Sequence, residues 1–130
     1  MTMGGDVRIV NRTRGTQLGE RVILADTWWG RLRGFLGRSR PVDGEGILLS
    51  PCNSIHTWWM DFSLDVVFLG SDGTVLEVRE DLAPWSHPIR VSGARHVLEV
   101  PPGTVRATGT VVGDTCAWSR SESPRLQETL

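Results

Sequence analysis

Hydrophobic positions along the chain fall into short alternating or continuous apolar runs, a pattern that favours β-strands over helices. The strongest run is residues 64–69, and the turn at residues 71–73 connects it to residues 74–78 as a β-hairpin. The same pattern predicts further strands at residues 7–10, 20–24, 46–49, 94–100 and 115–118, an extended segment at 55–59 and a loop at 83–90. Residues 104–108 fit either a strand or one helical turn.

One segment, residues 28–36, has helical spacing instead. The apolar residues that share one helical face there are Trp28, Leu32, Phe35 and Leu36. Asp26 or Thr27 offers an N-cap before the segment, and Gly37 offers a stop after it. The spacing therefore predicts one principal helix.

Together these elements predict an α+β fold with a mainly antiparallel, curved, barrel-like sheet and one principal helix packed on it. The length of 130 residues suits a single domain, which we place at residues 7–118. Residues 119–130 are polar, and we expect them to form a disordered tail.

Composition and charge narrow the classes of function. The net charge of -1 argues against a nucleic-acid-binding domain, and no apolar run is long enough for membrane insertion. The first residues lack the basic and apolar regions of a secretory signal, so we expect a cytoplasmic protein. All 14 basic residues are Arg and there is no Tyr, which excludes a catalytic lysine or tyrosine. The two cysteines, Cys52 and Cys116, would form a disulfide only in an exported chain.

The segment from residue 52 to residue 65 holds the densest candidate chemistry. If residues 56–60 form a strand, His56, Trp58 and Met60 share one face and present an imidazole, an indole and a thioether in a row. Such a face suits the wall of a ligand-binding cleft. Core packing, with the His56 ring bonded to a carbonyl, is the structural alternative.

Asp65 lies inside an apolar strand, where an isolated carboxylate is costly. It either accepts backbone N–H bonds at a strand crossing, or acts as an acid, a base or a ligand anchor beside His56. Arg31, in a local run of arginines, is either a solvated helix residue or part of an anion clamp. Trp85, beside a proline, either covers a cleft or caps the core.

Cys52 and His56 have a spacing that a zinc site would accept only if the chain turns between them, because two zinc ligands lie about 4 Å apart. No spacing signal supplies further ligands, so we expect neither a metal nor another cofactor. An enzyme would use His56 as a general base, with Asp65 orienting it or Cys52 as the nucleophile. His87 and His96 are expected to be structural or solvent-facing.

Several segments, taken in order, resemble domain of unknown function family 192. Residues 31–38 resemble the family's Arg-x-x-Gly-Leu-Met-Gly-Arg, and residues 44–49 its glycine-led Gly-Met-Leu-Phe strand. Residues 59–60 and 64–69 resemble its Trp-Met and Pro-Leu-Asp-Ile-Ile-Phe, and residues 94–100 its Ala-x-x-Val-Leu-Glu-Leu, before a closing Gly-Asp at 113–114. The resemblance implies a small α+β fold with a segregated helix and a curved sheet, and implies no reaction.

Two departures from the family pattern matter. Common members have Lys-Asn-Thr after the Trp-Met pair, where this chain has Asp-Phe-Ser at residues 61–63, so the polar residues there are not carried over. Many relatives also carry an export signal, whereas we expect none in the first residues of this chain.

The combined interpretation is a non-enzymatic small-molecule or peptide binding domain, or an accessory domain, with a cleft lined by Trp, His and Met. The residues expected to contact the ligand are His56, Trp58, Met60, Asp65, Arg31 and Trp85, with Trp59 adding stacking surface. Two alternatives stay open: a small enzyme that uses His56 with Asp65 or Cys52, and a structural module that binds a protein partner through exposed tryptophans.

Overall fold

The computed structural model describes residues 6–27, residue 35 and residues 38–121. The described residues form nine strands: β1 (Asp6–Asn11), β2 (Thr16–Ala25), β3 (Glu45–Leu49), β4 (Ser54–Ile55), β5 (Leu64–Leu69), β6 (Val75–Leu82), β7 (Ile89–Arg90), β8 (His96–Val100) and β9 (Cys116–Arg120). One short helix among them, α1 (Thr104–Thr108), lies between β8 and β9.

Seven strands form a mixed sheet in the order β6-β5-β8-β3-β2-β1-β9, and β4 pairs with β7 in a second, two-stranded sheet. Most pairs are antiparallel, as the sequence predicts, and the hairpin of β5 and β6 is confirmed. The pair of β2 and β3 is parallel, which the sequence does not predict. Because parallel strands begin at the same end of the sheet, the chain must return from the end of β2 to that end before β3 begins.

The large sheet curls into a half-barrel, because the starts of its two edge strands approach each other. An isolated bridge joins Thr74 to Thr115, and the Cys116 N–H donates to the Gly73 carbonyl at 2.8 Å. Gly73 has a φ of +88°, and a Cβ there would lie 2.1 Å from the Cys116 carbonyl oxygen. Only glycine fits the closure at this point.

The sheet carries a hydrophobic cluster on each face. One cluster includes Leu48, Val67 and Leu98 from the central strands, and Val105 of α1 packs against it. The other includes Ile47, Val66 and Val97 on the opposite face, and Phe35, Ile55, Met60 and Phe62 from the connecting segments pack over it. The alternation along each strand therefore buries both faces of the sheet.

Several expectations about secondary structure are refined. The predicted helix at residues 28–36 lies outside the described residues except for Phe35, whose side chain is buried. Residues 104–108, ambiguous in sequence, form a helix. Strand β9 extends to Arg120, two residues beyond the predicted end of the domain, and residues 122–130 lie outside the described residues. No helix in the described part of the chain is long and apolar enough to span a membrane.

Candidate functional site

Three exposed tryptophans lie on two loops next to the small sheet. Trp58 and Trp59 belong to the loop between β4 and β5, and Trp85 belongs to the loop between β6 and β7. Their side chains are 42%, 67% and 58% exposed, although indoles are usually largely buried in folded proteins. We call Trp58, Trp59 and Trp85 the tryptophan surface.

The buried residue Thr57 joins the two loops that carry the tryptophan surface. Its hydroxyl donates to the Ala83 carbonyl and accepts from the Ser86 N–H, both at 2.8 Å. Its carbonyl accepts from the Trp85 N–H at 2.9 Å. Three hydrogen bonds from one residue therefore fix the position of one loop relative to the other.

Aromatic contacts organise the tryptophan surface further. The rings of Trp59 and Trp85 meet edge to face, with centroids 4.8 Å apart. The rings of His56 and Trp58 lie 5.2 Å apart, and the His56 Nδ1 accepts from the Trp58 N–H at 3.3 Å. The edge-to-face arrangement of Trp59 and Trp85 is one of the favourable geometries for aromatic pairs.

Two of the three tryptophans hold a strained backbone. Trp59 has a φ of 68° and Trp85 a φ of 63°, a region that bulky side chains rarely adopt. Such strain persists only where surrounding contacts impose it, and it concentrates at binding and catalytic sites. Here the N–H groups of Trp85 and of Met60, the residue after Trp59, both donate to the Thr57 carbonyl and restrain the two segments.

The expected strand at residues 56–60 is wrong. Only Ser54–Ile55 is a strand, and the chain then turns, with the Met60 N–H donating to the Thr57 carbonyl at 3.2 Å. The turn buries Met60 in the hydrophobic cluster and leaves Trp58 outside. Trp59, which strand alternation would place opposite Trp58, joins it on the surface instead.

The carboxylate of Asp65 is fully buried and accepts three backbone hydrogen bonds. The donors are the N–H groups of Asp81 at 2.8 Å, Gly103 at 3.1 Å and Val105 at 2.9 Å. These bonds confirm the structural interpretation of Asp65. The carboxylate fixes the start of α1 to the strand pair β5 and β6.

The residues of the predicted enzyme make separate hydrogen bonds. The His56 Nδ1 accepts from the Trp58 N–H, the Cys52 Sγ donates to the Ser54 carbonyl at 3.1 Å, and the Asp65 carboxylate accepts its three backbone N–H groups. Cys52 and Cys116 are both thiols. No group of three His, Cys, Asp or Glu residues in the described ranges is arranged to hold a metal ion. Arg31, the predicted anion clamp, lies outside the described residues.

The two remaining histidines have separate environments. The His96 Nδ1 shares a hydrogen bond of 2.7 Å with the Ser50 hydroxyl, and its ring meets Trp118 edge to face at 4.8 Å. Burial and the neighbouring Arg95 lower the pKa of His96. His87 is exposed in the loop after Trp85. His96 is therefore structural, whereas His87 lines the pocket described next.

A pocket of about 390 Å³ lies between β6 and the segment that follows Trp85. Its lining residues are Arg79, Leu82, Ser86, His87, Pro88, Ile89 and Arg90. Sequence reasoning missed this pocket, because its residues come from separate elements and match no motif. The two arginines, eleven positions apart in sequence, reach the same pocket through the pairing of β6 with β5 and of β7 with β4.

Sequence reasoning also missed Glu99 in the central strand β8. Glu99 is only 5% exposed, and its cross-strand neighbours are Ile47 and Val66. Burial raises the pKa of the Glu99 carboxyl to about 7, and its Oε1 has no hydrogen-bond partner among the described residues. The signal in the sequence is the one that drew attention to Asp65, an acidic residue inside an apolar strand.

The chain is similar in sequence to one family of proteins. The family model of DUF192, described as uncharacterized ACR, matches residues 9–118. The chain is 30% identical to a UPF0127 protein of Thermococcus sibiricus, covering 94% of this chain and 84% of the relative. It is 37% identical to UPF0127 protein PH1112 of Pyrococcus horikoshii, covering 85% of this chain and 97% of the relative.

A crystal structure of a protein of unknown function from Novosphingobium aromaticivorans has the same fold, with a TM-score of 0.74 at 24% identity. The similarity covers 86% of this chain and 83% of that one. The match to residues 9–118 spans nearly all of the nine strands and the helix. The chain therefore belongs to the DUF192 family of uncharacterised proteins.

Proposed function

We propose that this domain is a non-enzymatic binding module whose ligand is a small molecule with a flat apolar face, such as a pyranose or a heterocycle. The tryptophan surface would contact that face. The observation that carries the proposal is that Trp59 and Trp85 are exposed and adjacent, and that their backbones adopt positive φ. A stability-driven arrangement would bury these indoles instead.

Three further observations support a small molecule. Indole rings provide a flat apolar face at low entropic cost, which suits stacking against a ring. Thr57 holds the two loops together before any ligand arrives, so binding would not have to order them. The polar groups beside the indoles, including the exposed imidazole of His56, could fix the orientation of a bound ring.

The experiment is a calorimetric and thermal-shift titration of the purified protein with neutral rings, namely glucose, cello-oligosaccharides and adenosine. A ligand that binds only the folded state raises its stability by about 2.7 kcal/mol at a hundredfold excess over Kd. Trp85→Ala is the test variant. Val112→Ala is the matched control, because Val112 is also 58% exposed but lies beyond α1.

Loss of binding in Trp85→Ala with normal binding in Val112→Ala would support the proposal. Binding of a probe that survives Trp58→Ala, Trp59→Ala and Trp85→Ala would place the site elsewhere. A screen in which none of the ring-bearing probes stabilises the protein would overturn the small-molecule function.

A further inference from the structure

The pocket next to the loop of Trp85 has a basic rim. Arg79, His87 and Arg90 line it and are exposed, whereas no acidic residue lines it. Its floor is apolar, because Leu82 and Ile89 pack against the hydrophobic cluster beneath the loops. A concave site with an apolar floor and a few convergent charges is suited to a small ligand that carries the opposite charge.

One of the two arginines is partly neutralised within the chain. The Arg79 Nε donates to Glu77 Oε2 at 2.7 Å, and both side chains are partly exposed. Arg90 has no such ion pair among the described residues. Its backbone is held by the pairing of Ser54 with Arg90 in the small sheet. Arg90 therefore presents a guanidinium that no ion pair among the described residues neutralises, on a backbone held by the small sheet.

The pocket and the tryptophan surface adjoin. Ser86 lines the pocket, and it follows Trp85 directly, with consecutive Cα atoms about 3.8 Å apart. Thr57 binds the Ser86 N–H with the same hydroxyl that positions the loop of Trp85. Ser86 therefore connects the pocket to the loop that carries Trp85.

We propose that this pocket binds the anionic group, a carboxylate or a phosphate, of a ring-bearing ligand whose ring contacts Trp85. This inference rests on the proposed function and adds the charge of the ligand to it. The guanidinium of Arg90 supplies paired N–H donors that match either group. Arg79 adds a second cation, because its guanidinium has further N–H donors besides the one bonded to Glu77. Ligands of this class include sugar acids and nucleotides.

The test uses pairs of probes that differ only in the anionic group. Glucose is compared with glucuronate and with glucose 6-phosphate, and adenosine with its monophosphate, by calorimetry at low salt. We expect an anionic member to bind about tenfold or more tightly than its neutral partner, because a charge-assisted hydrogen bond is among the stronger ones. Raising the salt concentration should weaken only the anionic member.

Variants assign the effect to the pocket. Arg90→Gln should reduce affinity for the anionic probe about tenfold and leave the neutral partner unchanged. Arg8→Gln is the matched control, since Arg8 is an exposed arginine on β1, near the opposite edge of the sheet. Both arginines are on the surface, so neither change should prevent folding; Arg90→Glu should abolish the preference altogether.

Each result separates the two proposals. Preference for the carboxylate or for the phosphate upholds the pocket and identifies the group. Equal binding of neutral and anionic probes, or an Arg90→Gln protein that keeps the preference, overturns the pocket while the tryptophan surface stands. Anion binding that is lost in Arg90→Gln but unchanged in Trp85→Ala upholds the pocket and overturns the stacking role of Trp85.

Discussion

The hydroxyl of Thr57 accepts a hydrogen bond from the Ser86 N–H at 2.8 Å, across 29 positions of sequence, and it also donates to the Ala83 carbonyl. One buried side chain thereby holds together two loops that have no strand pairing with each other. This contact links the loop of Trp85 to the loop of Trp58 and Trp59, so the arrangement of the tryptophan surface should depend on it.

Thr57→Val tests that dependence. Valine has the same shape but no hydroxyl, so both hydrogen bonds are lost, and we expect the free energy of unfolding to fall by about 1 kcal/mol. Affinity for the ring-bearing probe should fall with it, because the loops are no longer held in place. Thr57→Ser keeps the hydroxyl and is the control. Chemical denaturation and calorimetry measure the two effects, and a Val variant that binds normally would show that the loops are positioned by other contacts.

Trp85 allows a direct test of backbone strain. At an ordinary position a glycine variant of a protein is less stable than the alanine variant. At a φ of 63°, however, alanine keeps the backbone strain that glycine avoids. We expect Trp85→Gly to be more stable than Trp85→Ala by about 1 kcal/mol. The same pair of changes at Thr74, an ordinary strand-edge position, should give the reverse order. Denaturant unfolding of the four variants decides it, and an alanine variant at 85 that is the more stable one would remove the argument from strain.

Glu99 predicts a pH dependence of stability. Its folded pKa of about 7 lies above the ordinary 4.5, so the folded state holds a proton that the unfolded state has already released between these values. The contribution of this group is fully present below about pH 4.5 and is lost as the pH rises through about 7. The loss is on the order of 3 kcal/mol.

Glu99→Gln isolates that contribution, because the amide has nearly the same size and does not titrate. The unchanged protein should lose stability as the pH rises from about 4.5 to about 7, and we expect the Gln variant to lack this decline. Urea unfolding at several pH values measures it. Parallel pH profiles for the two proteins would mean that the Glu99 carboxyl is not the group responsible.

Asp65 should act on stability and not on binding. Asp65→Asn replaces one acceptor oxygen by an N–H₂ group that faces the N–H donors of Gly103 and Val105, and we expect a loss of about 3 kcal/mol in unfolding free energy. Asp61→Asn, at an exposed aspartate in the preceding loop, is the control. A variant of Asp65 that unfolds normally and yet fails to bind the ring-bearing probe would make Asp65 a ligand contact.

The parts of the fold that sequence predicts well are those with strong local signals. The run at 64–69 and the turn at 71–73 combine apolar β-branched residues with a glycine, and they form the hairpin as expected. The parallel pairing of β2 with β3 has no local signal, because it depends on the path of the chain between the two strands. The helix at 104–108 is weak in sequence, since Asp65, 40 positions away, supplies the acceptor that its start requires.

The candidate site was predictable in composition and not in geometry. His56, Trp58 and Trp85 were recognised as candidates from their chemistry, but alternation along a strand was the wrong rule for residues 56–60. Contacts with Ala83 and Ser86 turn the chain there, and such distant hydrogen bonds leave no periodic trace in the sequence. The basic pocket leaves no signal in the sequence, because its residues come from separate elements and match no motif.

The pairing of β1 with β9 bears on how this protein is made. Strand β1 is synthesised before β9, yet β9 (Cys116–Arg120) is one of its two neighbours in the sheet. Until that segment leaves the ribosome, the outer edge of β1 has unpaired N–H and carbonyl groups, which are the groups that join strands of different molecules. A chain truncated before Cys116 should therefore be less soluble than the chain that contains β9, because the outer edge of β1 then stays unpaired.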